Sequence, residues 1–172
     1  MTHTKQISRR KAIVGATGLA LLAATKDALA QTTGPVRIGL VYSKQGPGSA
    51  IGEYLQRGSA LAVAQAGGKV LDRPVELVWL DEANPQVSQQ NMEKLIKEDK
   101  VVAVVGGNYS SSALAMMSVA DREKIPLILT GAAASEITGK NCNRYTFRTQ
   151  ATVPNALMVL DSVSDVHFTT SK

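Results

Sequence analysis

Cysteine and histidine are nearly absent from this 172-residue chain, which has one cysteine and two histidines. Beyond the first thirty residues only Cys142 and His167 remain, and two such groups cannot form the ligand set of a zinc site. A serine hydrolase is equally unsupported, because there is no Gly-x-Ser-x-Gly elbow and His167 lies near the end of the chain. The sequence therefore predicts that the protein binds no metal and no cofactor and is not an enzyme. The odd thiol of Cys142 predicts either a free, buried side chain or a bond to a cysteine outside this chain.

No apolar run in the sequence is long enough to cross a membrane. The longest, residues 13–25, is followed at residues 28–30 by Ala-Leu-Ala, a small-x-small cleavage site. A basic head precedes this run and consists of Lys5, Arg9, Arg10 and Lys11. This pattern predicts an export signal peptide over residues 1–30, cleaved after Ala30, and a periplasmic protein. The Ser-Arg-Arg at residues 8–10 partly matches a twin-arginine signal, so both export routes stay open.

The net charge is small once the leader is set aside. The whole chain has a formal net charge of +5, but residues 31–172 hold fourteen basic and thirteen acidic residues, a net charge of +1. The high isoelectric point therefore reflects the leader and gives no indication of a nucleic-acid partner.

Short apolar runs alternate with helical patterns along the rest of the chain. Strands are predicted at residues 36–43, 75–80, 101–105, 125–129 and 145–149, and helices at 51–66, 87–99, 112–123 and 155–162. Because the runs are continuous and β-branched, they are typical of buried parallel strands. The sequence predicts the α/β class, with a doubly wound parallel sheet. A further strand begins at residues 166–170 and has little left to pair with, so we expect the chain to be a truncated piece.

Two loops of small and hydroxylated residues follow the third and fourth predicted strands. Residues 106–112 read Gly-Gly-Asn-Tyr-Ser-Ser-Ser, and residues 130–135 read Thr-Gly-Ala-Ala-Ala-Ser. In an open α/β sheet, ligands are bound at the carboxyl ends of the strands. Because these loops carry no acid, base or metal ligand, the sequence predicts that they hold a small polar molecule without reacting with it.

A glycine-rich turn after the first strand offers a rival interpretation. Gly46, Gly48 and Gly52 lie between a strand and a helix, as in a dinucleotide fingerprint, and would favour an exported nicotinamide-dependent oxidoreductase. Against it, Pro47 removes an N–H group where a pyrophosphate would need a donor. A sensory ligand-binding lobe is a third class, but it would require a membrane span or signalling domain.

Several separate segments together resemble the periplasmic solute-binding proteins of the leucine/isoleucine/valine type. They span residues 36–150, and the matching positions are residues 36–43 with Gly46, Pro47 and Gly52; Gly67 and Gly68 with residues 73–77; Asp81 and Glu82 ahead of Asn84 and Pro85; Gly106 with residues 110–112; and residues 132–134 with Thr138. Each piece is weak alone, and the ordered set is what carries the resemblance.

The resemblance implies two α/β lobes that close on a ligand and deliver it to the membrane permease of an ABC importer. Residues 31–150 would form most of the first lobe, and residues 151–172 would be the hinge-crossing helix and the start of a truncated second lobe. The ligand would be an amino acid, in the first instance a branched-chain one. The same family also includes binders of amides, urea and aromatic acids, so these stay open.

The resemblance also assigns ligand-binding residues on the two loops. Ser110 falls on the hydroxyl that binds the ligand carboxylate, although its sequence context also suits a helix cap. Ala132 falls on a position that contributes backbone groups to the ligand ammonium. The next expected hydroxyl is replaced by Ala134 with Ser135 beside it. Tyr109, either a lid or a surface aromatic, stands where some members carry a disulfide cysteine.

The remaining polar and aromatic residues at the strand ends are interpreted as structural. Asp81 and Glu82 follow the second predicted strand, and paired carboxylates in that place are expected to be solvated or to cap a neighbouring helix. Trp79, inside the same apolar strand, is expected to belong to the core.

Overall fold

The computed structural model describes residues 34–152, which form a six-stranded sheet with three long helices. The strands are β1 (Val36–Tyr42), β2 (Lys69–Val70), β3 (Arg73–Asp81), β4 (Ala103–Gly106), β5 (Leu127–Leu129) and β6 (Thr146–Arg148). The helices are α1 (Ser49–Gln65), α2 (Pro85–Lys97) and α3 (Ser110–Glu123). Two short 3₁₀ turns, Gly46–Gly48 and Ser135–Ile137, lie in the connections.

Local chemistry sets the start of α2. The Asn84 side chain accepts a hydrogen bond from the Val87 N–H group at 2.9 Å, and Pro85 occupies the first turn, where no N–H partner is needed. Lys94 and Lys97 lie in the last turn, where a positive charge complements the helix dipole.

The sheet has the order β2-β3-β1-β4-β5-β6, with every pair parallel except β2 and β3. The chain moves outward from β1 to β3 and then returns to pair β4 against the other side of β1. The topological switch point therefore lies between the carboxyl ends of β1 and β4, where open α/β sheets bind ligands. This arrangement confirms the predicted doubly wound α/β class.

One face of the sheet packs against α2 and α3 and carries the hydrophobic core. Val41, Val104, Leu127 and Leu129 point to this side and are fully buried together with Leu95 of α2. The fit is tight, because a Cβ atom built on Gly39 of β1 would lie 2.8 Å from a methyl carbon of Leu95. The core helices are thus held close to the central strands.

The opposite face of the sheet is covered less completely. The register aligns one row of side chains across five strands: Trp79, Leu40, Val105, Ile128 and Phe147. Helix α1 contacts β1 and β3, so Leu40 is fully buried, whereas Phe147 on the outer strand β6 is 55% exposed. Burial along this row therefore falls from the centre of the sheet toward β6.

The structure corrects several sequence-based expectations. The strand β2 was not predicted, because two exposed residues give no apolar pattern. Cys142 is free and exposed, so of the two alternatives left open by the sequence the buried free thiol is wrong, and a bond to a cysteine outside this chain stays untested. Trp79 is only partly buried, and its indole N–H donates to the Tyr42 carbonyl at 3.1 Å.

Some predictions fall outside the part of the chain that the structure describes. These are the signal peptide at residues 1–30, the helix at 155–162 and the strand at 166–170. Within residues 34–152, no helix is long and apolar enough to span a membrane.

Candidate functional site

The two loops singled out by the sequence meet at the carboxyl edge of the sheet, one after β4 beside the switch point and the other after β5. Gly131 of the second loop lies so close to the first that a Cβ atom on it would be 2.8 Å from the Asn108 Cα atom. The Ala134 N–H group donates to the Ser110 Oγ atom at 3.2 Å. The hydroxyl of residue 110 therefore lies beside the main chain of the second loop, as a ligand site shared by the two loops requires.

Ser110 is the first residue of α3 and does not cap it. The N-cap position belongs to Tyr109, with extended dihedral angles and no side-chain capping bond. The Ser110 hydroxyl instead accepts from Ala134, which leaves its own proton free to be donated. Hydrogen bonds in a chain polarise one another, so a hydroxyl that accepts one bond becomes a better donor for the next.

Glu82 holds the first loop from the far side of β1. Its carboxylate accepts from the N–H groups of Asn108 and Tyr109 at 2.7 and 2.9 Å. The residue is 1% exposed, so the expectation that this carboxylate would be solvated is wrong. Its neighbour Asp81 accepts instead from the Lys44 N–H group at 2.7 Å. Neither carboxylate makes a side-chain cap of a helix.

Burial raises the pKa of Glu82 above its ordinary value, because a charge is costly away from water. The N–H groups of Tyr109 and Asn108 oppose this by stabilising the carboxylate. The Ser112 hydroxyl beside it acts in the same direction, although it makes no well-directed hydrogen bond, and the charge of Asp81 raises the pKa further. The balance leaves the pKa raised.

Arg148, at the end of β6, holds the second loop. Its guanidinium donates to the Ala134 carbonyl at 2.7 Å and to the Thr138 hydroxyl at 2.5 Å. The planar fork of an arginine suits two acceptors at once. Both peptide groups of Ala134 are therefore engaged, its N–H with Ser110 and its carbonyl with Arg148.

Tyr109 projects from the first loop toward the turn after β1. Its side chain is 43% exposed, and a Cβ atom on Gly48 would lie 2.2 Å from its hydroxyl oxygen. The glycine at position 48 thus makes room for the phenol of Tyr109. This contact gives Gly48 a packing role in place of the phosphate-binding role that a dinucleotide fingerprint would require.

A buried tyrosine supports the site from below. Tyr42 ends β1, is 1% exposed and accepts a hydrogen bond from the Thr130 hydroxyl at 3.3 Å. This contact reaches from β1 past β4 to the end of β5, and so ties the base of the second loop to the central strand.

The five residues predicted to bind a ligand lie on these two loops. Ser110 and Ala134 are in direct contact, Tyr109 precedes Ser110, and Ala132 is 1% exposed, so its side chain is packed inward. Ser135 is exposed and starts the 3₁₀ turn. Their contact with a ligand stays a prediction. Sequence reasoning missed Glu82 and Arg148, whose partners lie 26, 27, 14 and 10 residues away along the chain.

The arrangement is suited to binding a carboxylate. The Ser110 proton and the first N–H groups of α3 offer donors, and the helix N-terminus adds a partial positive charge. No group of histidine, cysteine, aspartate and glutamate residues able to hold a metal ion occurs among residues 34–152.

Comparison with known proteins gives consistent matches. A family model described as "Periplasmic binding protein" matches residues 35–161. The Leu/Ile/Val-binding protein homolog 8 of Brucella suis is 31% identical over 154 residues, which cover 88% of this chain and 37% of that protein. This chain thus spans about a third of the length of the curated relatives that it matches.

Solved structures show the same fold. A solute-binding protein of an ABC transporter from R. palustris, in complex with benzoate, is 32% identical with a TM-score of 0.66, covering 69% of this chain and 33% of that one. The substrate-binding protein of a branched-chain amino acid transporter from Streptococcus pneumoniae, in complex with isoleucine, is 26% identical with a TM-score of 0.63, covering 69% and 34%.

Proposed function

The chain belongs to the periplasmic binding protein family, and from that premise we propose that it forms the carboxylate-binding part of a solute-binding protein of an ABC importer. The ligand proposed first is a branched-chain amino acid. The observation that carries the proposal is the contact between Ser110 and Ala134, which joins the two loops at the carboxyl edge of the sheet, beside the switch point.

The proposed ligand carboxylate accepts from the Ser110 hydroxyl and from the N-terminal N–H groups of α3. Charge-assisted hydrogen bonds of this kind are about twice as strong as neutral ones. Because Ser110 already accepts from Ala134, its hydroxyl is oriented before a ligand arrives, and less ordering is needed on binding.

A second candidate ligand is an aromatic carboxylate. The specific reason is Ala134, which has no hydroxyl, while its carbonyl already accepts from Arg148. These features leave the second loop with fewer acceptors for a ligand ammonium. An aromatic acid has no ammonium, and a related protein of known structure holds benzoate.

The proposal extends to cellular context and domain organisation. Residues 1–30 would direct export and be cleaved after Ala30, residues 31–150 would form the first lobe, and residues 151–172 would lead toward a second lobe. The loaded protein would dock on a membrane permease in the periplasm.

Amide chemical shifts can test the proposed ligands. We expect leucine or benzoate, added up to about 20 mM so that millimolar affinity is detectable, to shift the amide signals of Asn108, Ser110 and Ala134. Substituting Ser110→Ala should weaken binding at least about tenfold, which corresponds to 1.4 kcal/mol.

The control is Ser118→Ala on the same helix, because the Ser118 hydroxyl donates only to the Ala115 carbonyl within α3. Binding that Ser118→Ala leaves intact and Ser110→Ala weakens supports the site. If leucine, benzoate, an amide and urea all leave the loop signals unmoved, the proposed binding role is wrong. Shifts with benzoate alone would select the aromatic ligand over the amino acid.

A further inference from the structure

We propose that Glu82 is the positioning residue of the ligand loop: its buried carboxylate fixes the Asn108 and Tyr109 N–H groups and thereby the direction of the Ser110 hydroxyl. The inference rests on the proposed function in taking residues 106–112 as a ligand loop. It adds a residue that never touches the ligand and acts through the backbone.

The geometry of the loop resembles an anion-binding concavity filled from within. Gly107 has a φ of +76°, a left-handed conformation that turns the chain so that the next two N–H groups point to one place. Successive N–H groups in such a turn bind anions. Here the anion is the Glu82 carboxylate, with one oxygen for each N–H group.

This occupancy decides which donors remain for a ligand. The N–H groups of Asn108 and Tyr109 are directed at Glu82 and are not available to an external carboxylate. The external carboxylate is therefore left to the Ser110 hydroxyl and the first turn of α3. Glu82 thus divides the donors of one loop between an internal anion and an external one.

The position of Glu82 also explains how a distant strand can orient this loop. Glu82 follows β3, the loop follows β4, and β1 lies between them in the sheet. The N–H group of Glu82 donates to the Tyr42 carbonyl at 3.2 Å, which fixes its backbone to the end of β1. The side chain therefore reaches the loop from a rigid support, as a positioning group requires.

Substituting Glu82→Gln tests the proposal, because it keeps the size and replaces one acceptor oxygen by an NH₂ donor. That NH₂ group must face one of the two N–H groups, so one hydrogen bond is lost. We expect hydrogen-exchange protection of the Asn108 and Tyr109 amides to fall at least about tenfold relative to core amides such as Val104. The core amides report the global stability, which a merely structural role would change equally.

A pH titration of the same amides gives the second readout. In the wild-type chain, the Asn108 and Tyr109 amide signals should move together as Glu82 is protonated, and in Glu82→Gln they should not move. The charged residue that acts on Glu82 is Asp81, whose carboxylate accepts from the Lys44 N–H group. Asp81→Asn is the matched control and should preserve the titration of the two amides.

The outcomes separate this proposal from the proposed function. Equal loss of protection at the loop and at Val104, or a titration that persists in Glu82→Gln, would overturn the positioning role. Loss confined to the loop, with leucine, benzoate, an amide and urea all leaving every loop signal unmoved in the wild-type chain, would support the positioning of the loop by Glu82 and refute ligand binding. Loss confined to the loop together with at least tenfold weaker ligand binding would support both.

Discussion

Replacing Arg148 by methionine should loosen the second loop and lower the stability of the whole domain. The guanidinium makes a part-buried bond to the Ala134 carbonyl and a more exposed bond to the Thr138 hydroxyl. A buried bond to a charged donor contributes about 1.5–3 kcal/mol, and an exposed one contributes much less. Methionine keeps the apolar stem in place, so the expected loss is that of the two bonds alone, about 2 kcal/mol.

The assay is thermal and chemical unfolding of the matched variants. For a domain of this size, 2 kcal/mol corresponds to a fall in Tm of roughly 6–10 °C. Arg148→Lys should lose about half as much, because an ammonium cannot hold both acceptors in the geometry of the fork. Arg144→Met is the control, since Arg144 is exposed and lies four residues earlier.

The reasoning would be refuted by either of two results. If Arg148→Met unfolds at the temperature of Arg144→Met, the two bonds contribute nothing. If Arg148→Lys is as stable as the wild-type chain, the forked geometry is irrelevant and only the charge matters.

Two further predictions concern the helices α2 and α3, which cover the packed face of the sheet. Leu95→Ala should lower the unfolding free energy by about 2–5 kcal/mol, because Leu95 is fully buried against Gly39 and the space it leaves cannot close; denaturant unfolding showing a loss below about 1 kcal/mol would contradict this packing. Glu93→Gln should cost about 0.2–1 kcal/mol at pH 7, since the Arg122 guanidinium donates to Glu93 at 2.7 Å and lowers its pKa below 4.5. That stabilisation is fully present at pH values above the ordinary pKa of a glutamate and is lost as the pH falls through the lower folded-state pKa of Glu93. The unfolding free energies of the wild-type chain and Glu93→Gln should therefore converge in acid, and a constant difference between them would count against the ion pair.

The sequence was sufficient to predict the fold class and the meeting of the two loops. Continuous apolar runs such as that ending at Leu129 indicate buried parallel strands, and parallel strands place their carboxyl ends at one edge. Once residues 106–112 and 130–135 were each assigned to a strand end, their proximity followed from topology. No knowledge of side-chain contacts was needed for that step.

The side chains that hold the loops could not be predicted from the sequence. Glu82 follows Asp81 at the end of a strand, and the carboxylates of such a pair are usually solvated. The partners of Glu82 lie on the far side of another strand of the sheet. Arg148 ends a three-residue strand and reaches acceptors that exist only after the second loop has folded. The local sequence gives no signal for such contacts, because each of them joins segments that are separated along the chain and come together only in the folded sheet.

The two outermost strands have a consequence for how this sheet behaves beside other polypeptides. At one margin β2 has two residues, and at the other β6 has three. A short edge strand gives a foreign strand few free backbone groups to pair with, which protects the β6 side of the sheet among residues 34–152. On the other side β2 pairs only with Arg73 and Pro74, so among residues 34–152 the rest of the longer strand β3 has no strand beside it there and is not protected in this way.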